Sequence, residues 1–507
     1  MTSKLKFFTP FYILILIFMF LLISSGNVAA QAYSANWTTA VTYQNVGDSP
    51  ATLVVNFYQE NGTTAMSFDP LNGSQLAAGA ARSFWIGNVN NVPNGFNGNA
   101  VISSDQPLVS TVVQYSQQPN FKMRLLYNGF QSTDASDQYL VATTLLNKFS
   151  RTTVFSIQNT ENETVEATLY FYDADNNGAL ASTITHAIPA NSSKFIDMGQ
   201  SNDTGLSGNT FNGSAIVIAE KQSNGTPANI VAAANEYYTN SNIAASFEGI
   251  PISRASNEVF MATGVCERFG LDTFYAVSNA ETSGNATITV TYRDTNGSTV
   301  ATDGPYTIGP GQKRSIRTCN PSNGTNMSNF TGSASISSTG NKIVVIGKAQ
   351  NSINAPSANT TDLFTAFLGE PQGVSKQSLS FVRWANDSQF NAPSNNGGRQ
   401  RTFIAVQNLE NTQIAVNAKY YDKDGNLVAT HALTIPALSK QNTNASLAGA
   451  LGSTGMVSGA FGYYTDNTSG GAVVLEAANS NPSAKFIAVA RTQNPGAGED
   501  VNSVPTP

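Results

Sequence analysis

Cys266 and Cys319 are the only cysteines among 507 residues. An even pair within one segment of an exported chain favours a disulfide over two separately buried thiols. Closing that loop would stabilise the fold by up to about 4 kcal/mol in the chain-entropy picture. The stretch "DADNNG", Asp173 to Gly178, opens like a calcium loop. Such a loop wants a bidentate Glu at its twelfth position, and Ile184 stands there. It reads instead as a hairpin turn. His186 and His431, the only histidines, occupy matching places in "ITHAIPA" and "ATHALTIPA". Neither has a His, Cys or carboxylate at metal-ligand spacing. No nucleophile elbow, phosphate-binding glycine loop or His-Glu helix motif occurs. The expected set of catalytic, cofactor-binding and metal-binding residues is therefore empty, and Cys266 and Cys319 are the one covalent site. Trp85 and Trp384 are aromatic residues that could stack on sugar faces or fill cores.

The elements that would carry these residues repeat four times. "YQNVGDSPATLVVNFYQENG" from Tyr43 returns as "IQNTENETVEATLYFYDADNNG" from Ile157. It returns again as "VSNAETSGNATITVTYRDTNG" from Val277 and "VQNLENTQIAVNAKYYDKDG" from Val406. Asn45 to Tyr58, Asn159 to Tyr172, Asn279 to Tyr292 and Asn408 to Tyr421 share one spacing, which points to duplication. A "PA" or "PG" element follows in three copies, at Ile188, Ile308 and Ile435; the first has "LAAGAARSF". "FNGNAVIS", "FNGSAIVI" and "FTGSASIS" come next, and the fourth copy diverges to "MVSGAFGY". A closing apolar run is read as "PLVSTVVQY", "ANIVAAANEYY", "KIVVIGKAQ" and "GAVVLEAAN".

Ile414, Val416, Ala418 and Tyr420 alternate with Ala415, Asn417, Lys419 and Tyr421, the period of a strand. Asn-Gly and Asp-Gly turns suit tight hairpins. Each unit offers about seven strands with a turn every 8–12 residues, the pattern of two antiparallel sheets packed face to face. The expected fold class is all-β: four tandem immunoglobulin-like antiparallel β-sandwiches after an N-terminal signal peptide. The expected division is 1–32 signal peptide, then repeats over 33–136, 137–256, 257–378 and 379–507. The last ends in a short polar tail, "NPGAGEDVNSVPTP". Boundaries fall near Ser136, Ser256 and Ser378. The Asn- and Gly-rich stretch "NDSQFNAPSNNGGRQR" reads as a loop.

On the "VQN…YYD..G…PA…F.GSA" pattern, the layout resembles tandem immunoglobulin-like repeat proteins of bacterial cell surfaces. The resemblance is one of architecture. It implies an extracellular or cell-surface setting and carries over no site residue.

Lys4 and Lys6 precede the apolar run Phe11 to Ile23, and small residues suit cleavage after Ala30 or Ala32. Thirteen apolar residues would span only about 20 Å as a helix, short of a bilayer core. No membrane span is expected in the mature chain. Only 11% of residues are charged and the net charge is −6, with no basic run, which excludes a nucleic-acid partner. Seventeen Asn-x-Ser/Thr sequons permit glycosylation on surface loops and are also turn chemistry. The expected function is that of a non-enzymatic extracellular structural protein, a rod or bead-string of modules. The alternative is an adhesin or carbohydrate-binding surface protein. Expected partners are further copies, other cell-surface components and glycans. Copies two to four each begin with an apolar strand: "YLVATTLL", "VFMATGVC" and "SFVRWA". After cleavage the first copy has only "YSAN" before Trp37, so its first sandwich is expected either to have a shorter sheet or to present an open edge that joins one molecule to another head to tail.

Overall fold

The computed structural model describes residues 37–116, 124–239, 243–352, 363–391, 399–494 and 497–507. The expected signal peptide lies outside them. The described residues form eight antiparallel sheets, two from each copy of the repeated phrase. Among the described residues no helix is long and apolar enough to cross a membrane.

The second copy displays the unit in full. One sheet runs Ala179–Ile188, Val165–Asp173, Phe211–Lys221, Gln138–Leu146, Ile250–Pro251. The other runs Ser193–Asp197, Arg151–Asn159, Ile230–Tyr238, Ala244–Glu248. Along Val165–Asp173, Val165, Ala167, Leu169 and Phe171 are fully buried while the residues between them face outward, as a pleated strand with one wet face requires. Each such large side chain contributes roughly 1.5–3 kcal/mol through burial. The strand order places the second strand between the fifth and the seventh. Constant-type immunoglobulin order puts it between the first and the fifth. The shared feature is the two-sheet sandwich.

The Asn of the phrase is a clamp. In Asn159 the amide nitrogen donates to the carbonyls of Glu163, Ile188 and Pro189 at 2.8, 3.0 and 2.9 Å, and its oxygen accepts from Glu161 N at 2.7 Å. Asn45, Asn279 and Asn408 make the same kind of set, each tying the loop after its strand to the carbonyl that ends the fourth strand or its equivalent. A buried carbonyl must find a donor, and one side-chain amide serves several.

Three expectations need correction. The common spacing to Tyr does not mark one structural position: Ala286 pairs with Ile308 as Val165 pairs with Ile188, so the third copy has one extra residue after Asn279. Tyr292 therefore stands where Phe57, Phe171 and Tyr420 stand, fully buried in the core, and Arg293 takes the place of Tyr172. In the fourth copy, "GAVVLEAAN" is not the closing run. Gly471–Ala477 pairs with Ile414–Asp422 as Phe211–Lys221 pairs with Val165–Asp173, and Phe486–Asn494 takes the closing place. Residues 444–470, longer than the matching 198–210, displaced the alignment. The polar tail is a strand, Ala497–Asn502, paired with Phe486–Asn494. Its Asp500 is buried because Arg491 holds it in a two-pronged ion pair at 2.7 and 2.8 Å.

Nor is the chain a bead-string. The last long strands of the four copies, Arg124–Asn128, Ala244–Glu248, Phe364–Leu368 and Ala497–Asn502, meet at one centre. Each touches the next, and the fourth touches the first. Ser246 Oγ donates to Leu126 O at 2.7 Å, and Thr365 Oγ1 donates to Asp500 at 2.7 Å. Asn128 Nδ2 donates to Asn502 O at 2.8 Å, joining the first copy to the fourth.

The hairpin turn of each copy packs on the "PA" loop of the next. Asn61 N donates to Ser193 O at 3.3 Å, and Gly178 lies on Gln312. Gly297 lies on Ala437, and Gly425 closes the cycle on Ala78 of the first copy. The repeated phrase is thus an interface written four times: one half of each junction is the turn and the other half is the loop.

Candidate functional site

Cys266 ends the first strand of the third copy and Cys319 follows its fifth. They are bridged, with Cα atoms 5.1 Å apart. Asp272 lies beside them, but its carboxylate pairs with Arg317 at 2.6 Å and accepts from Glu267 N at 2.9 Å. With both sulfurs in the bridge, the cluster keeps one carboxylate and no thiolate to offer a metal.

The acids of Asp173–Gly178 do not converge. Asp173 accepts from Asp175 N at 2.9 Å, while Asp175 pairs with Lys148 at 2.6 Å and accepts from Asn212 at 2.7 Å. Asn177 and Gly178 turn the chain at positive φ, as a tight hairpin demands. His186 meets Asp203 O at 2.9 Å, and His431 meets Thr443 Oγ1 at 2.8 Å, each in its own sandwich. Trp384 is half-buried, edge-on to Phe403 and under the Arg401 guanidinium.

Trp85, by contrast, is 40% exposed and lines a cleft of about 460 Å³ between the first and fourth copies. Arg124, Arg383, Arg399, Tyr115 and Tyr463 line it too, and no carboxylate does among the described residues. Trp85 ends the strand Ala81–Trp85, and its indole N–H donates to Thr38 Oγ1, which fixes the ring. Arg383 donates to the carbonyls of Val382 and Gly471 at 2.9 and 3.1 Å and lies 4.6 Å over the Phe381 ring. Arg399 lies 4.7 Å over Tyr463, whose hydroxyl accepts from Gln400 N at 2.7 Å. Burial holds Arg124 and Arg383 below the usual arginine value, but a guanidinium stays charged at neutral pH. The nearest acid behind Arg124 is Glu499. Burial raises its carboxyl well above the usual range, against the pull of Arg124.

The junction between the second and third copies holds a buried carboxylate among its cations. Glu236 pairs there with Arg151 at 3.0 Å and Lys348 at 2.5 Å, all three buried. The cleft owes its difference to the long 444–470 segment, which brings Tyr463, and to the loop before Arg401, which brings Arg399. The sequence carried the signal as the divergence at Met456 and the irregular stretch after Asn386. Trp85 was singled out from sequence; Arg124, Arg383 and Tyr463 were not, since nothing local marks residues that meet only across a ring closure.

No protein-family model and no curated protein matches the chain. Among solved structures, the dimeric latent PorU of Porphyromonas gingivalis is similar at 9% identity and a TM-score of 0.15, over 66% of this chain and 29% of that one. The chemokine-binding protein R17 of rodent gammaherpesvirus Peru is similar at 8% identity and a TM-score of 0.14, over 75% of this chain and 88% of that one.

Proposed function

We propose that this is a non-enzymatic, exported surface protein that binds acidic glycans in the cleft between its first and fourth copies. The observation that carries the reading is the lining: three guanidiniums and four aromatic rings, with no carboxylate among the described residues. Guanidinium forks recognise carboxylate and sulfate groups, and Trp or Tyr faces stack on sugar rings. The cleft's lining departs from the repeat through Tyr463 and Arg399, which supports recognition over a purely repetitive surface. The export reading rests on the sequence of residues 1–32, and the immunoglobulin-like, cell-surface reading on the repeated phrase. Titration of the secreted protein with uronic-acid oligosaccharides and their neutral counterparts tests it. Acidic sugars should bind, binding should weaken as salt rises, and Trp85→Ala with Arg383→Gln should abolish it. Equal affinity for neutral sugars, or none for either, would end the proposal.

A second reading is structural, a spacer in a coat or matrix. The cyclic closure favours it, because a ring with no free end junction resists local opening. Electron microscopy of producing cells distinguishes an ordered layer from dispersed binders.

A further inference from the structure

Three of the four junctions are filled by a strand. Gln138–Leu146 lies between its own sheet and the face of the third copy, where Ser278 Oγ donates to Ala142 O at 3.0 Å. Glu258–Cys266 lies likewise on the fourth copy, and Lys376–Leu379 with the residues after it lies on the first. The apolar cores run continuously across all three junctions: Ile346 and Phe364 join the core of the second copy, Ile487 and Val489 that of the third, and Val113 and Leu126 that of the fourth. The main core of the first copy joins none, and only a small cluster of Trp37 and Leu125 with Val154, Tyr237 and Ala244 bridges the first and second copies.

The difference has one location. Gly98–Ser104 pairs with Leu53–Gln59 and, among the described residues, has no strand on its other side. Its counterpart Phe211–Lys221 pairs there with Gln138–Leu146. None of the seven residues Gly98–Ser104 is buried, whereas Phe211 to Val217 all are. Across the gap, Ser156, Gln158 and Ala233 of the second copy are half-exposed, and their counterparts Ala276, Ser278 and Ile346 are buried. An edge without a partner strand among the described residues thus stands beside a sheet face less covered than its counterparts.

We propose that the slot between them receives a β-strand from a different polypeptide, apolar on both faces and antiparallel to Gly98–Ser104. The other junctions specify that chemistry. All but the first residue of Gln138–Leu146 are buried, because one face meets its own core and the other meets the next copy. Main-chain pairing supplies affinity, and the alternate side chains supply specificity. The proposal rests on the export reading. Copies two and three join first and second strands through four residues, 147–150 and 267–270. Cleavage after Ala32 would leave four, Tyr33 to Asn36, before Trp37, so the mature chain would begin where the missing strand should end. A second copy has little to donate: the equivalent strands of copies two to four are already paired within the chain, and the segment ending at Pro505 is itself paired with Lys376–Leu379.

The test uses the secreted protein and, in parallel, a chain expressed from Tyr33. The N-terminus is read by intact mass. Amide exchange at Gly98–Ser104 is then followed with and without a synthetic peptide of the sequence Gln138–Ser150. The mature chain should begin at Gln31 or Tyr33, and Gly98–Ser104 should exchange freely in the monomer. The peptide should slow that exchange at least tenfold and raise the melting temperature, and a scrambled peptide should do neither. Fusing the same sequence ahead of Trp37 should raise the melting temperature and abolish peptide binding. A secreted chain beginning before Val28 would overturn the export reading. Peptide indifference in the chain from Tyr33 would overturn the slot itself. A dimer that protects Gly98–Ser104 would assign the slot to a second copy and equally overturn the proposal.

Discussion

Gly311 lies against the ring of Tyr172 across the junction of the second and third copies, so closely that a Cβ on Gly311 would fall 2.5 Å from the ring. Its φ is also positive, +61°. Beside it, Ser214 donates to the Gly311 carbonyl, and Lys313 Nζ donates to Asn212 Oδ1 at 2.7 Å. One glycine thus joins a turn of one sandwich to a loop of the next.

Gly311→Ala should therefore cost two things: roughly 1–2 kcal/mol for a left-handed alanine, and a further 1–3 kcal/mol for overpacking. Gly324 has a φ of +72° with nothing near its missing Cβ, so Gly324→Ala should cost the first alone. Urea denaturation of the two variants checks the difference. Equal losses would mean that the junction does not press on Gly311.

Asn159→Ala removes donors to three carbonyls and an acceptor for one N–H. With those groups partly buried, the loss should be about 2–4 kcal/mol by chemical denaturation. Asn159→Asp should be no better, because a carboxylate cannot donate to Ile188 or Pro189.

Much of this was legible. Alternation in Ile414–Asp422 fixes the strand and its wet face, and the Asn and "PA" elements locate the clamp. The bridge followed from compartment and count. What was not legible is long-range. Nothing in "AASFE" or "AGEDVN" says that those strands will meet at a centre, because their partners are strands of other copies with their own different side chains. Buried Asp500 looked like surface because its compensation, Arg491, lies on the preceding strand. Asn212, a sequon by pattern, is buried between Asp175 and Lys313 and so has no room for a glycan.

Lys440 is buried across the junction of the third and fourth copies, with Nζ 3.3 Å from Thr263 Oγ1. Burial, aided by Arg491, pushes its amine down to about 7. The unfolded chain then binds a proton between pH 7 and the ordinary lysine value near 10.4 that the native chain does not, so this group's contribution rises with pH across that window. It is lost as pH falls toward 7. Stability measured from pH 7 to 9.5 should rise more steeply in the native protein than in Lys440→Met, and the variant should be the more stable near pH 7. Parallel profiles would mean that the ammonium is hydrated.

The Cys266–Cys319 bridge closes a separation of 53 residues within the third copy. Replacing both cysteines by serine should cost about 2–4 kcal/mol. Amide exchange should loosen first in Glu258–Cys266 and Lys313–Arg317. Uniform loosening across all four copies would mean that the ring unfolds as one unit.

Small-angle X-ray scattering of the secreted monomer tests the cyclic closure most directly. A compact chain of this length has a radius of gyration of roughly 23 Å, and four domains in line would give roughly 40 Å. The closure seen at Asn128–Asn502 and Ala78–Gly425 predicts a value within a few Å of the first, unchanged from low to high salt. A value near the second, or a maximum dimension growing with dilution, would contradict it.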